Sequence, residues 1–153
     1  MTNLNLNFNE GVKTFSINND PERVISVNLT DFGILERFET ASKKIKKYIA
    51  DFDPASIEEA HSMSDPEVFV FFKTDEFIKK QIDYIFNSPV SEIVFGATNC
   101  LSLVGGEPLY LKFFEAIMPE IKKALRSEVK KQEEKKAKYT AGMKYKKKGG
   151  HKK

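Results

Sequence analysis

The chain has 153 residues, with 25 Lys and Arg against 22 Asp and Glu, and 41% of its residues are hydrophobic. This length fits one domain with short appendages, and such a domain can fold without a disulfide or a structural metal. One Cys and two His exclude a disulfide framework and a zinc finger. No apolar run approaches the roughly 18 residues of a membrane-spanning helix. We therefore expect a soluble, cytoplasmic protein with no cofactor, no metal and no membrane partner.

Charge is distributed unevenly along the chain. Residues 127–153 hold 11 Lys and 3 Glu, whereas the preceding 126 residues carry a net charge of −5. After Tyr139 the sequence loses its apolar periodicity and becomes rich in Gly and Lys, a composition that cannot bury enough surface to form a core. We expect one domain over residues 1–139 and a basic tail over residues 140–153 that is disordered when unbound.

Residues 1–29 form a strand-rich start. Apolar and polar residues alternate on both sides of the turn-like Asn-Glu-Gly at residues 9–11, which predicts a β-hairpin around that turn. A break at residues 18–21 precedes a third alternating run over residues 24–29. The alternating apolar positions of the predicted hairpin are Leu4, Leu6, Phe8, Phe15 and Ile17.

Residues 30–139 show the periodicity of helices. The first predicted helix follows an N-cap at Thr30 or Asp31, continues to Phe52 and ends at the Asp-Pro of residues 53–54. A short helical turn is predicted over residues 57–63.

A second long helix begins at the Ser-Asp-Pro of residues 64–66 and ends near residues 87–89. Its predicted apolar stripe consists of Phe72, Phe77, Ile78, Ile82, Ile85 and Phe86.

Two further segments complete the predicted domain. Residues 90–95 form a short apolar piece, and the longest helix begins at Leu109 after a turn at Gly105 and Gly106. Pro119 either kinks this helix or opens a new one, and the apolar stripe ends at Val129. The predicted fold is mainly α (α+β): a small helical bundle with an N-terminal β-hairpin or short strands.

Candidate catalytic groups are few. Cys100 lacks a histidine placed to activate it, because His61 lies in a predicted loop and His151 in the tail, so we expect Cys100 to be structural. The acidic clusters lie beside lysines or at helix ends, where solvated charge is expected. Gly105 and Gly106 lack the spacing of a phosphate-binding loop. The sequence thus predicts a protein that is not an enzyme.

The tail contains the candidate partner-binding residues. A basic segment with aromatic residues can neutralise phosphates and stack on bases, so nucleic-acid binding is one reading, and partner docking or simple solvation are the others. The candidate residues are Lys144, Tyr145, Lys146, Lys147 and Lys148.

Several short segments between residues 19 and 139 resemble tail assembly chaperones of long-tailed, siphovirus-type phages and prophages of Gram-positive bacteria. The opening of that family is similar to Asn-Asp-Pro-Glu-Arg-Val-Ile-Ser at residues 19–26, followed by residues 29–32 and 36–38. Its helical core is similar to Ile-Asp-Tyr-Ile-Phe at residues 82–86 and to residues 94–96, 113–114 and 119–121.

The resemblance implies a non-enzymatic assembly factor of the host cytoplasm. Such a protein binds the long tape measure protein, keeps it soluble and is absent from the finished virion, and the major tail tube protein is a second implied partner. A longer frameshifted product is implied as well, with residues 146–148 as the candidate site of slippage. We expect helices over residues 66–87 and 108–138 to frame the partner groove, in one copy or in a homo-oligomer. The alternatives are a small protein that binds nucleic acid through its Lys-rich tail and an adaptor retained in the virion.

Overall fold

The computed structural model describes the backbone of residues 2–52 and 65–151, and the side chains of the last helix as far as Gly142. The described chain is mainly helical with short strands, which confirms the expected fold class. The predicted turn at residues 57–63, including His61, lies outside the described residues. In chain order the elements are β1 (Val12–Ile17), β2 (Asp20–Asn28), α1 (Gly33–Asp51), α2 (Pro66–Phe86), α3 (Val90–Phe95), β3 (Leu103–Val104), β4 (Glu107–Pro108) and α4 (Leu109–His151).

The N-terminal hairpin differs from the predicted one. Strands β1 and β2 pair antiparallel around Asn18 and Asn19, whereas residues 2–10 form no strand, so the predicted hairpin around residues 9–11 is wrong. Both asparagines have positive φ angles of 50° and 61°. Asparagine tolerates this conformation, and a two-residue turn of this kind matches the twist of the paired strands. The run predicted as a third strand is the second half of β2.

The predicted N-cap of helix α1 at Thr30 or Asp31 is wrong, because the N-cap is Phe32, whose side chain has no capping hydrogen bond. Asp31 still supports the first turn, since its Oδ1 accepts a hydrogen bond from the backbone N–H of Gly33 at 2.8 Å. The helix ends at Asp51, just before the Asp-Pro pair. Its buried face presents Ile34, Ala41 and Ile45.

Helix α2 confirms both predicted ends. Asp65 is the N-cap and accepts from the N–H of Glu67, Pro66 occupies the first helical turn, and Asn87 closes the helix in the left-handed conformation. The predicted apolar stripe is wrong at one position, because Phe72 is 51% exposed while Phe69 is buried.

The core lies between the hairpin, α1, α2, α3 and the first turns of α4. The ring of Phe38 in α1 meets Phe114 in α4 edge-on at 5.0 Å, and Tyr48 stacks on Phe77 at 4.1 Å between α1 and α2. Phe113 contacts rings from both α2 and α3. Buried members of α4 end with Leu125.

Helix α4 continues far beyond the core. It is one uninterrupted helix that contains Pro119, so no new helix begins there. Every side chain from Arg126 to Gly142 is exposed. The backbone stays helical to His151, in the segment for which the sequence predicts disorder when unbound. Residues 126–139 are rich in Lys and Glu, which are good helix formers, so the helix can extend beyond the core without packing.

Candidate functional site

The sequence-predicted partner-binding residues lie near the end of α4. The backbone of Lys144, Tyr145, Lys146, Lys147 and Lys148 is helical, and their side chains are outside the described part. Consecutive residues of a helix are about 100° apart around its axis, so these five positions surround the helix and share no single face.

These residues belong to what we call the α4 extension, residues 126–151. It is about 39 Å long at the rise of an α-helix. From Arg126 to Gly142 it carries six basic and three acidic side chains, with a weak exposed ion pair between Lys131 and Glu128 at 3.4 Å. A helix that is polar all round lacks a stripe for packing against its own domain, so this element is available to a partner or to solvent.

Cys100, the candidate nucleophile, lies in the core. Cys100 is fully buried, and burial together with the hydrogen bond to Asp75 raises the pKa of its thiol far above the usual range. The thiol therefore stays protonated at neutral pH, in agreement with the structural role expected for Cys100.

Asp75 corrects the expectation that the acidic clusters are solvated. Its side chain is only 14% exposed and forms an ion pair with Lys79 at 3.1 Å. Its second oxygen accepts from the backbone N–H of Cys100 at 2.7 Å, while Lys79 donates to the carbonyl of Thr98. The pair fixes the loop that leads into β3.

Two further kinds of site are absent from the described residues. Among residues 2–52 and 65–151, three or more His, Cys, Asp or Glu side chains nowhere cluster in a way that would hold a metal ion. In the same range, each helix is either too short or too polar to cross a membrane.

The first half of α2 presents an apolar surface to solvent, which we call the α2 aromatic face. Val68, Phe71 and Phe72 are 52%, 55% and 51% exposed and stand three and four residues apart, on one side of the helix. The ammonium of Lys73 lies 5.8 Å from the ring centre of Phe72. Exposed apolar residues that are contiguous mark protein-binding surfaces.

Sequence reasoning missed this surface. The run from Val68 to Phe72 is apolar at every position, so helical periodicity alone does not select its buried side. A usable signal was the surplus of aromatic residues in this run over what one helix face can bury.

A second surface is a groove beside the hairpin, with a cavity volume of about 490 Å³, which we call the hairpin groove. Phe15 and Ile17 of β1, Phe95 of α3, and Phe113 and Ile117 of α4 supply its apolar lining. The partner groove expected between residues 66–87 and 108–138 stays a prediction. The hairpin groove is a different feature, because α4 lines it together with the hairpin and α3.

A third feature is the N-terminal arm, residues 2–10. Its Leu4, Leu6 and Phe8 are 83%, 83% and 76% exposed. The hydrogen bonds of the arm are local: Asn5 donates to Asn7, and the Oδ1 of Asn9 accepts from the N–H of Gly11.

Comparisons with known proteins found no matching family model, no matching curated protein and no matching solved structure.

Proposed function

We propose that this chain is a phage tail assembly chaperone that binds the tape measure protein in the host cytoplasm, keeps it soluble and leaves before the virion is complete. The observation that carries the proposal is the α2 aromatic face, a strip of exposed apolar side chains at helical spacing. The resemblance of short segments between residues 19 and 139 to that family supports the tape measure protein as the client.

The physical demand on such a chaperone is specific. A tape measure protein is a long helical rod whose apolar stripes are uncovered until the tail tube surrounds it. A partner helix recognises such a stripe through side chains at positions i, i+3 and i+4, which is the spacing of Val68, Phe71 and Phe72. Many weak contacts along one rod would coat it through avidity.

The charge distribution suits the same role. Around the aromatic face and on the α4 extension, Lys and Glu side chains keep a complex of many copies soluble. No bond is made or broken in this mechanism, and displacement by the major tail tube protein requires only competition for the client's apolar stripe.

Co-expression with the tape measure protein of the same phage or prophage tests the proposal. Val68→Ser, Phe71→Ser and Phe72→Ser together remove about 3 kcal/mol of apolar contact in the complex, a weakening of roughly 100-fold. The soluble fraction of the client and its co-purification should both fall. Since these side chains are half exposed in the free protein, its far-UV circular dichroism should be unchanged.

The matched control is Leu103→Ser with Val104→Ser in the β3–β4 hairpin. These two side chains are 66% and 51% exposed, so the control replaces exposed apolar side chains at another place on the surface. Equal client solubility with the α2 triple variant and with wild type would contradict the proposal.

Nucleic-acid binding is the second candidate, and the excess of Lys in residues 127–153 favours it. Phosphate contacts release counterions, so affinity would fall steeply as salt increases, whereas apolar docking on α2 would not. A salt titration of binding to a duplex and to the client separates the two candidates. A third, a structural adaptor retained in the virion, is separated by mass spectrometry of purified particles.

A further inference from the structure

The N-terminal arm has the pattern of a strand but no strand partner within the described residues. Leu4, Leu6 and Phe8 alternate with asparagines, and the segment from residue 2 to residue 9 carries no charged side chain. Alternation of this kind places the three apolar side chains on one side of an extended chain. At 76–83% exposure they have almost no contact with their own domain.

Strand β1 offers a complementary edge. Among the described residues its sheet has two strands, so β1 pairs with β2 on one side and leaves its other row of N–H and C=O groups without a strand partner. Phe15 lies opposite the buried Ile25, which places the odd-numbered residues of β1 on the core face of the hairpin. Phe15 and Ile17 on that face line the hairpin groove.

We propose that the arm of a second copy of this chain adds to β1 as an antiparallel strand and fills the hairpin groove. In the register that places Leu4 opposite Ile17 and Leu6 opposite Phe15, the apolar side of the arm meets the apolar lining. A shift of one residue would turn all three arm side chains away from the groove. Seven arm residues span about 23 Å, enough to cover the six residues of β1.

The occupant is a second copy because the arm of the same chain is not paired with β1: residues 2–10 form no strand, and the three apolar side chains of the arm are 76–83% exposed. Gly11, with φ of +77°, passes so close to Thr30 that a Cβ on it would lie 2.2 Å from the hydroxyl oxygen, so the residue before β1 lies beside the end of β2. Each chain has one arm and one β1 edge, so two copies related by a twofold axis satisfy both in a closed dimer.

Mass measurement by light scattering over a range of concentrations tests the dimer, with no client present. Wild type should change from monomer to dimer as concentration rises, and Leu4→Asn with Leu6→Asn and Phe8→Asn should raise the dissociation constant at least tenfold. The control Leu103→Ser with Val104→Ser should dimerise as wild type does. A wild type that stays monomeric, or an arm variant that dimerises equally well, would overturn the proposal.

Cross-linking tests the register. On the solvent side of the same pairing Asn5 lies opposite Ser16, so a mixture of Asn5→Cys chains and Ser16→Cys chains should form a disulfide-linked heterodimer. Asn5→Cys mixed with Thr14→Cys, two residues out of register, should link far less. Cys100 does not interfere because it is buried.

Pairing of the arm with β1 of its own chain would give the opposite cross-linking result. If the arm folds back, the Asn5→Cys, Ser16→Cys double variant closes within one chain and the mixed single variants stay unlinked, which would refute the exchange. Because these measurements need no tape measure protein, failure of the arm exchange and failure of the proposed function are distinguishable.

Discussion

Two arginines hold distant segments of the chain together. The guanidinium of Arg37 donates from Nε to the carbonyl of Ile85 at 2.9 Å and pairs with Asp31 at 2.9 Å. Arg23 donates to the carbonyls of Ile93 and Val94 at the end of α3. Both guanidinium groups therefore satisfy carbonyls at helix C-termini, where a positive charge is favourable.

The Asp31–Arg37 pair makes stability depend on pH. The hydrogen bond from Arg37, then that from the Gly33 N–H, lowers the pKa of Asp31 below its ordinary value of 3.8. A lowered pKa in the folded state stabilises the fold above pH 3.8, and the contribution is lost as pH falls through the folded-state pKa. Asp31→Asn should therefore lower the urea midpoint at pH 7, and its difference from wild type should shrink as pH falls through the folded-state pKa of Asp31.

Urea unfolding of both proteins across this pH range checks the prediction. Glu39→Gln is the control. Glu39 pairs with Lys43 at 3.1 Å, but both side chains are more than 70% exposed, so the pair contributes little to the free energy of unfolding at any pH. A constant difference between Asp31→Asn and wild type from pH 7 to pH 2 would contradict the linkage.

Among single residues, local chemistry was predictable and long-range partners were not. The cap at Asp65 and the first-turn proline at Pro66 follow from neighbouring residues, so the sequence predicts them. Asp75 instead binds the backbone of Cys100, 25 residues away. Its spacing from Lys79 is that of an ordinary surface pair, and nothing local distinguishes it from one.

At the scale of elements, periodicity identified strands without identifying their pairing. Residues 4–8 and β1 both alternate, and each lies beside a turn-forming segment, so the sequence permits a hairpin around residues 9–11 or around residues 18–19. Burial of Ile25 and Val27 of β2 in the core selects the second. That selection depends on tertiary packing, which alternation alone does not encode.

Helix α2 shows the same limit for helices. In its last three turns, apolar residues recur every three or four positions, and this spacing predicts Ile78, Ile82 and Ile85 as core residues. Its first two turns are apolar on all sides, and the contact of Phe69 with Phe52 at 6.3 Å determines which side is covered. The α2 aromatic face consists of apolar side chains from these turns that the core leaves uncovered.

Pro119 allows a test of how α4 is held. Proline inside a helix removes one backbone hydrogen bond and clashes with the preceding turn. Since Pro119 is exposed, Pro119→Ala should restore the bond to Glu115 and raise the free energy of unfolding by about 1–3 kcal/mol.

Thermal and urea unfolding measure this change. Glu120→Ala, an exposed substitution in the same turn, should alter stability by less than about 0.5 kcal/mol. A destabilised Pro119→Ala variant would mean that the helix must bend at this position to bring both Phe114 and Ile121 into the core.

For the whole molecule, the separation of charge is the feature that the sequence predicts best. A net charge of +8 lies in residues 127–153 and −5 in the rest. Of the described residues, the structure places 12–52 and 65–125 around one core, and it extends the basic end from this core as a helix. What the sequence did not predict is the helical backbone beyond Tyr139, because composition indicates only that this segment cannot pack.

Removal of residues 140–153 tests whether the basic tail contributes to client binding and not to the stability of the fold. The deletion removes six Lys and no acidic residue, so the formal net charge changes from +3 to −3. Because Leu125 is the last buried residue among the side chains that the structure describes, the free energy of unfolding should change by less than about 0.5 kcal/mol. Association with the client should weaken at low salt and approach that of wild type at about 1 M salt, where attraction between exposed charges is screened.

Thermal unfolding and co-purification at two salt concentrations measure the two effects separately. A large fall in melting temperature would show that the α4 extension stabilises the domain. Unchanged co-purification at low salt would show that Lys144 to Lys148 do not contact the client. Loss of binding that persists at high salt would indicate an apolar contact through Tyr145, because screening weakens charge interactions and leaves apolar burial intact.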